Sequence, residues 1–285
     1  MRIGFIGAGR VGYTLGKYLK TKGFDISGYF SRNPEHAADA AQFTDTRYFS
    51  SIVDLIKESD AVFITVSDNA IGQVFDNIKH FPETNGKIFC HTSGALSSEI
   101  FEGSPYQVYG YSVHPMYAVS DKYTSYKSFS NAFITIEGSP EHLSEMVDIF
   151  SSSGLKTGTI DTSAKSKYHA ASAVASNLVC GIYGFSKRLL TECGMDDEMA
   201  EKALCGLFRD NAVGITEKGV VAQLTGPLER NDISTVVKHL EVLNGDDKEL
   251  YKKCSLEVLK IAKEKHEDTD YSKMEAVLKG KETAI

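Results

Sequence analysis

No apolar run in the chain approaches the roughly 18 residues that a membrane-spanning helix needs, so a membrane span is not expected. Basic residues are not in excess. There are 31 Lys and Arg against 38 Asp and Glu, a formal net charge of −7, and no basic stripe to meet a nucleic acid. The five cysteines (Cys90, Cys180, Cys193, Cys205 and Cys254) contain no C-x-x-C. They read as reduced thiols of a cytoplasmic protein. Cys90-His91 is a pair too small for a tetrahedral metal site, so no metal is expected. Internal repeats and low-complexity linkers are also missing, and residues 1–6 already read as a strand rather than a signal peptide. What remains is a folded enzyme or binding protein of 285 residues, 42% of them hydrophobic, enough for one large domain or two ordinary ones.

The organising stretch is Arg2 to Gly12. Ile3, Phe5 and Ile6 read as a buried parallel strand. Gly7-Ala8-Gly9-Arg10-Val11-Gly12 follows as G-x-G-x-x-G, and Val11, Leu15, Tyr18 and Leu19 then stand at helical spacing. Strand, glycine turn and helix in that order are what a dinucleotide-binding unit needs. Gly7 permits a tight turn, Gly9 lets the backbone approach a pyrophosphate, and Gly12 lets the helix pack closely. The free N–H groups of the helix start favour phosphate.

The second expected strand, Asp25–Phe30, ends in Ser31-Arg32, where a site for NAD would carry an acid to hold the ribose 2′-OH. A hydroxyl and a guanidinium instead suit a 2′-phosphate, so NADP is the expected cofactor. Further strands are expected at 47–49, 60–67, 86–91, 107–113, 131–137 and 155–160. Ser67-Asp68-Asn69 stands ready to cap a helix, and Val66 and Ser67 would face the cofactor at a strand's carboxyl end. The alternation of strands and helices predicts an α/β fold, an N-terminal doubly wound Rossmann domain over 1–160. A C-terminal all-α domain over 161–285 follows, opened by a helix running from Asp161 or Thr162 to about Cys193.

Chemistry has three candidate locations. Ser93 and His114 each follow an expected strand and would face the crevice, where an imidazole with an ordinary pKa can act as acid or base. On the long helix, His169, Ser172, Ser176 and Asn177 stand at i, i+3, i+7 and i+8, one face by regular helical spacing. Lastly, Leu224-Thr225-Gly226-Pro227 and Glu229-Arg230-Asn231-Asp232 form a joint between helices that could offer Thr225 and Arg230 to an anionic substrate. Each has a plainer alternative: a strand-end turn, a helix-packing seam and an inter-helix turn.

The segments HTSGALS, VHPMYAVSD, YHAASAVASN and LTGPLERND resemble a group of Rossmann-like, or deazaflavin-dependent NADP oxidoreductase-like, proteins. The arrangement is similar to the broad superfamily of 6-phosphogluconate, 3-hydroxyacid and ketopantoate-type dehydrogenases, and the Ser93–His114 pair resembles that of prephenate dehydrogenases. The resemblance implies NADP-dependent hydride transfer on a small, anionic substrate at an interdomain cleft. One departure stands out: the lysine that hydroxyacid dehydrogenases place one turn before the asparagine resembling Asn177 is Ala173 here, and Lys165 and Lys167 lie two or more turns away. A non-catalytic NADP-binding sensor is therefore the alternative from another class. Apolar residues such as Tyr183, Phe185 and Leu189 exceed what a small helical domain buries alone, so a homodimer joined there is expected.

Overall fold

The computed structural model describes residues 1–281; the last four residues of the expected helical domain lie outside that range. Contacts divide the chain into two units, Met1–Leu178 and a second beginning at Val179. The change of fold class read near residue 160 thus precedes the division of contacts by about one short helix.

The first unit is built on one eight-stranded sheet. Its strands are β1 (Arg2–Ile6), β2 (Asp25–Phe30), β3 (Arg47–Tyr48), β4 (Ala61–Ile64), β5 (Lys87–His91), β6 (Val108–Met116), β7 (Phe133–Gly138) and β8 (Lys156–Thr159). They lie in the order β3-β2-β1-β4-β5-β6-β7-β8. The crossover helices include α1 (Arg10–Thr21), α2 (Pro34–Thr44), α3 (Ile52–Glu58), α4 (Asp68–Ile78) and α5 (Leu143–Ser152). Alternation along the central strands feeds two cores. Ile3, Phe5, Phe63 and Cys90 face α1, α2 and α5. Ile6, Val62, Ile64 and Phe89 face α3 and α4. Burial on both faces is why these strands read as nearly unbroken apolar runs.

All pairings are parallel except β6 with β7. β6 is longer than its sequence pattern suggests. Its pairing with β5 ends at His91–Ser112, but β7 carries it on through His114–Thr135 to Met116–Phe133. His114 therefore lies within the strand, not beyond it. Pro115 is tolerated because β5 no longer needs a donor there.

Past β8 a 3₁₀ turn at Thr162–Ala164, started by Asp161, leads into α6 (Lys165–Ala173). A π-helical turn, Val174–Leu178, closes the first unit. The expected long helix is thus interrupted, and the extra residue per π turn rotates Ser176 and Asn177 off the line set by His169 and Ser172.

The second unit holds α7 (Val179–Glu192), α8 (Asp197–Lys218), α9 (Val220–Gln223), α10 (Ile233–Val242), α11 (Gly245–Lys265) and α12 (Ser272–Leu278). Its core is Val236, Leu240, Leu259, Ala262, Tyr271, Met274 and Leu278. These come from α10 to α12, whereas α7 buries no residue and α8 only Ala200 and Gly214. No helix among the described residues is long and apolar enough to cross a membrane.

Candidate active site

The order of the sheet reverses between β1 and β4, and a cavity of about 900 Å³ opens at their carboxyl ends. Gly7 to Val11 line it, with Ser31 and Arg32 at one end and Thr92 and His114 among its other lining residues. The glycine turn is held down on β4. Gly7 sits at φ +100°, its N–H donates to the Phe30 carbonyl at 2.8 Å, and its carbonyl accepts from the Thr65 hydroxyl at 2.8 Å. A Cβ on Gly12 would stand 2.4 Å from Thr65 Oγ1, and one on Gly9 2.9 Å from the Thr65 carbonyl oxygen. Close packing on Thr65 therefore demands these glycines, in addition to any phosphate.

The start of α1 suits an anion. Gly9 caps it without a side chain, and no acid stands in its first turn. Its N–H groups thus keep their full preference for phosphate. Arg10 donates to the Ser120 carbonyl at 3.3 Å, beside the same turn. Val66, Ser67 and, unforeseen in the sequence, His36 also line the cavity. Ser67 caps α4 by position, but its hydroxyl makes no capping bond. The residues present fit a dinucleotide with a phosphorylated ribose.

At the opposite end, β5, β6 and α6 bring four rings and a lysine together. His114 Nδ1 lies 2.7 Å from the Tyr168 hydroxyl, and the rings of His114 and His169 are 6.2 Å apart. Gly94 separates these two histidines. A Cβ there would come within 2.5 Å of His169 Nδ1 and 2.8 Å of His114 Nε2. His169 Nδ1 is buried without a hydrogen-bond partner. His91 is fully buried and neutral: Nε2–H donates to the Ser97 carbonyl and Nδ1 accepts from the Ser93 N–H. Burial holds its pKa down at about 4.

His114 does not keep the ordinary pKa that suits an acid–base residue at neutrality. Burial, then the positive charge of Lys165 and the neighbouring His169, push it down to about 4. The imidazole is neutral at physiological pH and acts as a hydrogen-bonding group. Ser93 is not free for chemistry either. It is 4% exposed, its hydroxyl donates to Asp68 Oδ2 at 2.7 Å, and the same oxygen accepts the N–H groups of Ala95 and Leu96. It pins the Ser93–Leu96 turn to the start of α4.

Lys165, set aside in the sequence because it lies two or more turns from Asn177, belongs to this cluster. It is 2% exposed, donates to Ser112 Oγ, and Ser112 in turn donates to the Ser93 carbonyl at 3.3 Å. Burial lowers its pKa to about 8, against the pull of Glu137 and Asp68. Glu137 is buried as well, accepting from Ser98 N, Ser98 Oγ and Thr162 Oγ1 at 2.7–2.9 Å. Measured from Asn177 the lysine is remote; measured from His169 it is one helical turn away. That i, i+4 relation was the available signal.

Of the other expected residues of the first unit, Ser172 touches the cluster through Tyr168, whereas Ser176 and Asn177 do not join it. Ser172 bonds the Tyr168 carbonyl at 3.3 Å, Ser176 the Ser172 carbonyl at 2.7 Å, and Asn177 is exposed. Thr225 and Arg230 are exposed in the second unit. There the joint is held by Glu229, which meets His266 at 2.7 Å and whose carbonyl accepts from Tyr271 at 2.6 Å. Asp232 caps α10.

Residues 2–90 match the family described as NADP oxidoreductase coenzyme F420-dependent, and residues 132–258 match one described as a domain of unknown function, DUF2520. No curated protein matches the chain. Among solved structures it is similar to a Thermotoga maritima protein at 24% identity and a TM-score of 0.73, over 92% of this chain and 98% of that one. It is also similar to a candidate NADP oxidoreductase of Bacteroides fragilis, at 22% identity and a TM-score of 0.73, over 91% and 98% of the two chains. A Plasmodium falciparum pyrroline carboxylate reductase with NADP bound is 18% identical, with a TM-score of 0.58 over 93% and 96%. At these identities the likeness establishes the fold: a mostly parallel α/β sheet followed by helices.

Proposed function

We propose that the chain is an NADP-dependent oxidoreductase that moves a hydride to or from a small substrate held where β4, β5 and β6 end. The observation that carries this reading is the continuous cavity that reaches from Ser31 and Arg32, past the glycine turn, to His114. The description of the family matched by residues 2–90 agrees with it. When bound, the nicotinamide would supply the hydride; the protein supplies binding and orientation. The N–H groups of the α1 start, with Arg10, bind the pyrophosphate, and Ser31 and Arg32 bind the 2′-phosphate. Val66 and Ser67 support the cofactor where β4 ends. His114, fixed by Tyr168, presents Nε2 toward Gly94 and His169 and orients the substrate.

Calorimetry with NADP+, followed by loss of NADPH absorbance over a panel of small carbonyl compounds and imines, tests the reading. Tight NADP+ binding with turnover of one class supports it. Binding without any turnover would leave an NADP sensor, and no binding would end the proposal.

A homodimer formed through the helical unit belongs to the same proposal. Ile182 on α7 and Leu207, Phe208 and Val213 on α8 are exposed, Leu207 by 71%. Apolar surface of this kind is what obligate interfaces cover. Light scattering at micromolar concentration should give twice the 31.2 kDa chain mass.

A further inference from the structure

At the far end of the cavity, the charged side chain on the lining is Asp68. It stands in the first turn of α4, where a helix dipole favours an acid. The dipole alone would be satisfied by a carboxylate turned to solvent. Here the Ser93 hydroxyl donates to Oδ2 at 2.7 Å and draws the group toward β5, so that it lines the cavity with Thr92 and His114. Oδ2 is engaged and the group remains exposed. Lys165, the nearest buried cation, bonds Ser112 instead, and no Lys165–Asp68 ion pair is present among the described residues.

Building on the oxidoreductase reading, we infer that Asp68 selects a substrate carrying a positive nitrogen at the reacting bond, a protonated C=N group, over a neutral carbonyl. A carboxylate facing an open cavity is stabilised by a cationic partner and opposes the negative oxygen that builds up when hydride adds to C=O. The proton balance points the same way. Hydride addition to a protonated C=N forms one C–H bond and moves the C–N π electrons onto nitrogen. The products are a neutral amine and NADP+, and no proton leaves the protein. Addition to C=O leaves an alkoxide that must take a proton. His114, the imidazole on that lining, is neutral at physiological pH and a poor donor for that purpose.

The test compares two rings of one size, 1-piperideine and cyclohexanone, in the NADPH-loaded protein. It also compares binding of piperidinium with binding of cyclohexanone to the NADP+ form by calorimetry. Wild type should favour 1-piperideine in kcat/KM, and Asp68→Asn should cut the imine-to-ketone ratio roughly tenfold or more, as loss of a charge-assisted contact does. Piperidinium affinity should fall in parallel while NADP+ affinity holds, which also shows that the variant is folded. An unchanged ratio, or equal piperidinium binding by both proteins, would overturn the assignment of Asp68 and leave the oxidoreductase reading standing. Failure of the wild type to bind NADP+ would remove both.

Discussion

The Nδ1 atom of His114 lies 2.7 Å from the hydroxyl of Tyr168, which ties the end of β6 to the first turn of α6. Which nitrogen of the imidazole faces the cavity with a proton is therefore set by the tyrosine. With its pKa near 4, His114 is an orienting group rather than a proton donor at neutral pH. His114→Asn should lower kcat by about tenfold, the upper worth of one hydrogen bond, and leave NADP+ affinity unchanged. Steady-state kinetics and calorimetry check this. A loss of roughly 10²–10⁴-fold would return the imidazole to the role of acid or base.

Lys165→Met removes a positive charge that depresses His114. Burial is the larger cause of that depression, so the His114 pKa should move up from about 4 without regaining its ordinary 6.5. Histidine NMR titration reads this directly, with no substrate required. An unmoved value would show that burial alone sets it.

Gly94→Ala should damage the site while sparing the cofactor. Its Cβ would fall 2.5 Å from His169 Nδ1 and 2.8 Å from His114 Nε2, and His114 is not free to withdraw while Tyr168 holds it. Turnover should drop, NADP+ affinity should hold, and a crystal structure of the variant should show one imidazole displaced. Full turnover would mean that the rings have room to move.

Stability should rise with pH between about 4 and 6.5. His91 and His114 have folded pKa values near 4, below the ordinary 6.5. Between these limits the unfolded chain binds more protons than the folded one, so acid favours unfolding there and stability is fully present above 6.5. Asp39 and Asp232, each held at about 2 by hydrogen bonds, lose their contribution only at lower pH. Denaturant midpoints across pH 4–8 would record the slope. His91→Phe should flatten it, even if the loss of the bonds to Ser97 and Ser93 lowers stability throughout.

Arg32→Ala should weaken NADP+ much more than NAD+. A charge-assisted contact to phosphate is worth about 1.5–3 kcal/mol, or roughly ten- to hundredfold in affinity. Calorimetry with both cofactors decides the matter. Equal affinities in the wild type would show that Ser31 and Arg32 read no phosphate.

The first unit is legible in the amino-acid sequence because its signals are local. Strand, G-x-G-x-x-G and helix follow one another within a score of residues, and apolar runs buried on both faces leave a plain mark. All eight strands stand within a few residues of their expected bounds. Tertiary structure decided what depends on partners distant in the chain. The antiparallel pairing with β7 carries β6 past Ser112 and puts His114 inside a strand, and no residue near position 114 encodes that partner. Ser93 reads as a free hydroxyl in the sequence, yet Asp68, 25 residues away, takes its proton in a hydrogen bond. Lys165 stands in the sequence as a lysine too far from Asn177 for the related role, and a lysine is seldom buried. Its burial requires Ser112 and Glu137 to arrive from two strands and compensate it, and only the folded sheet brings those strands beside α6.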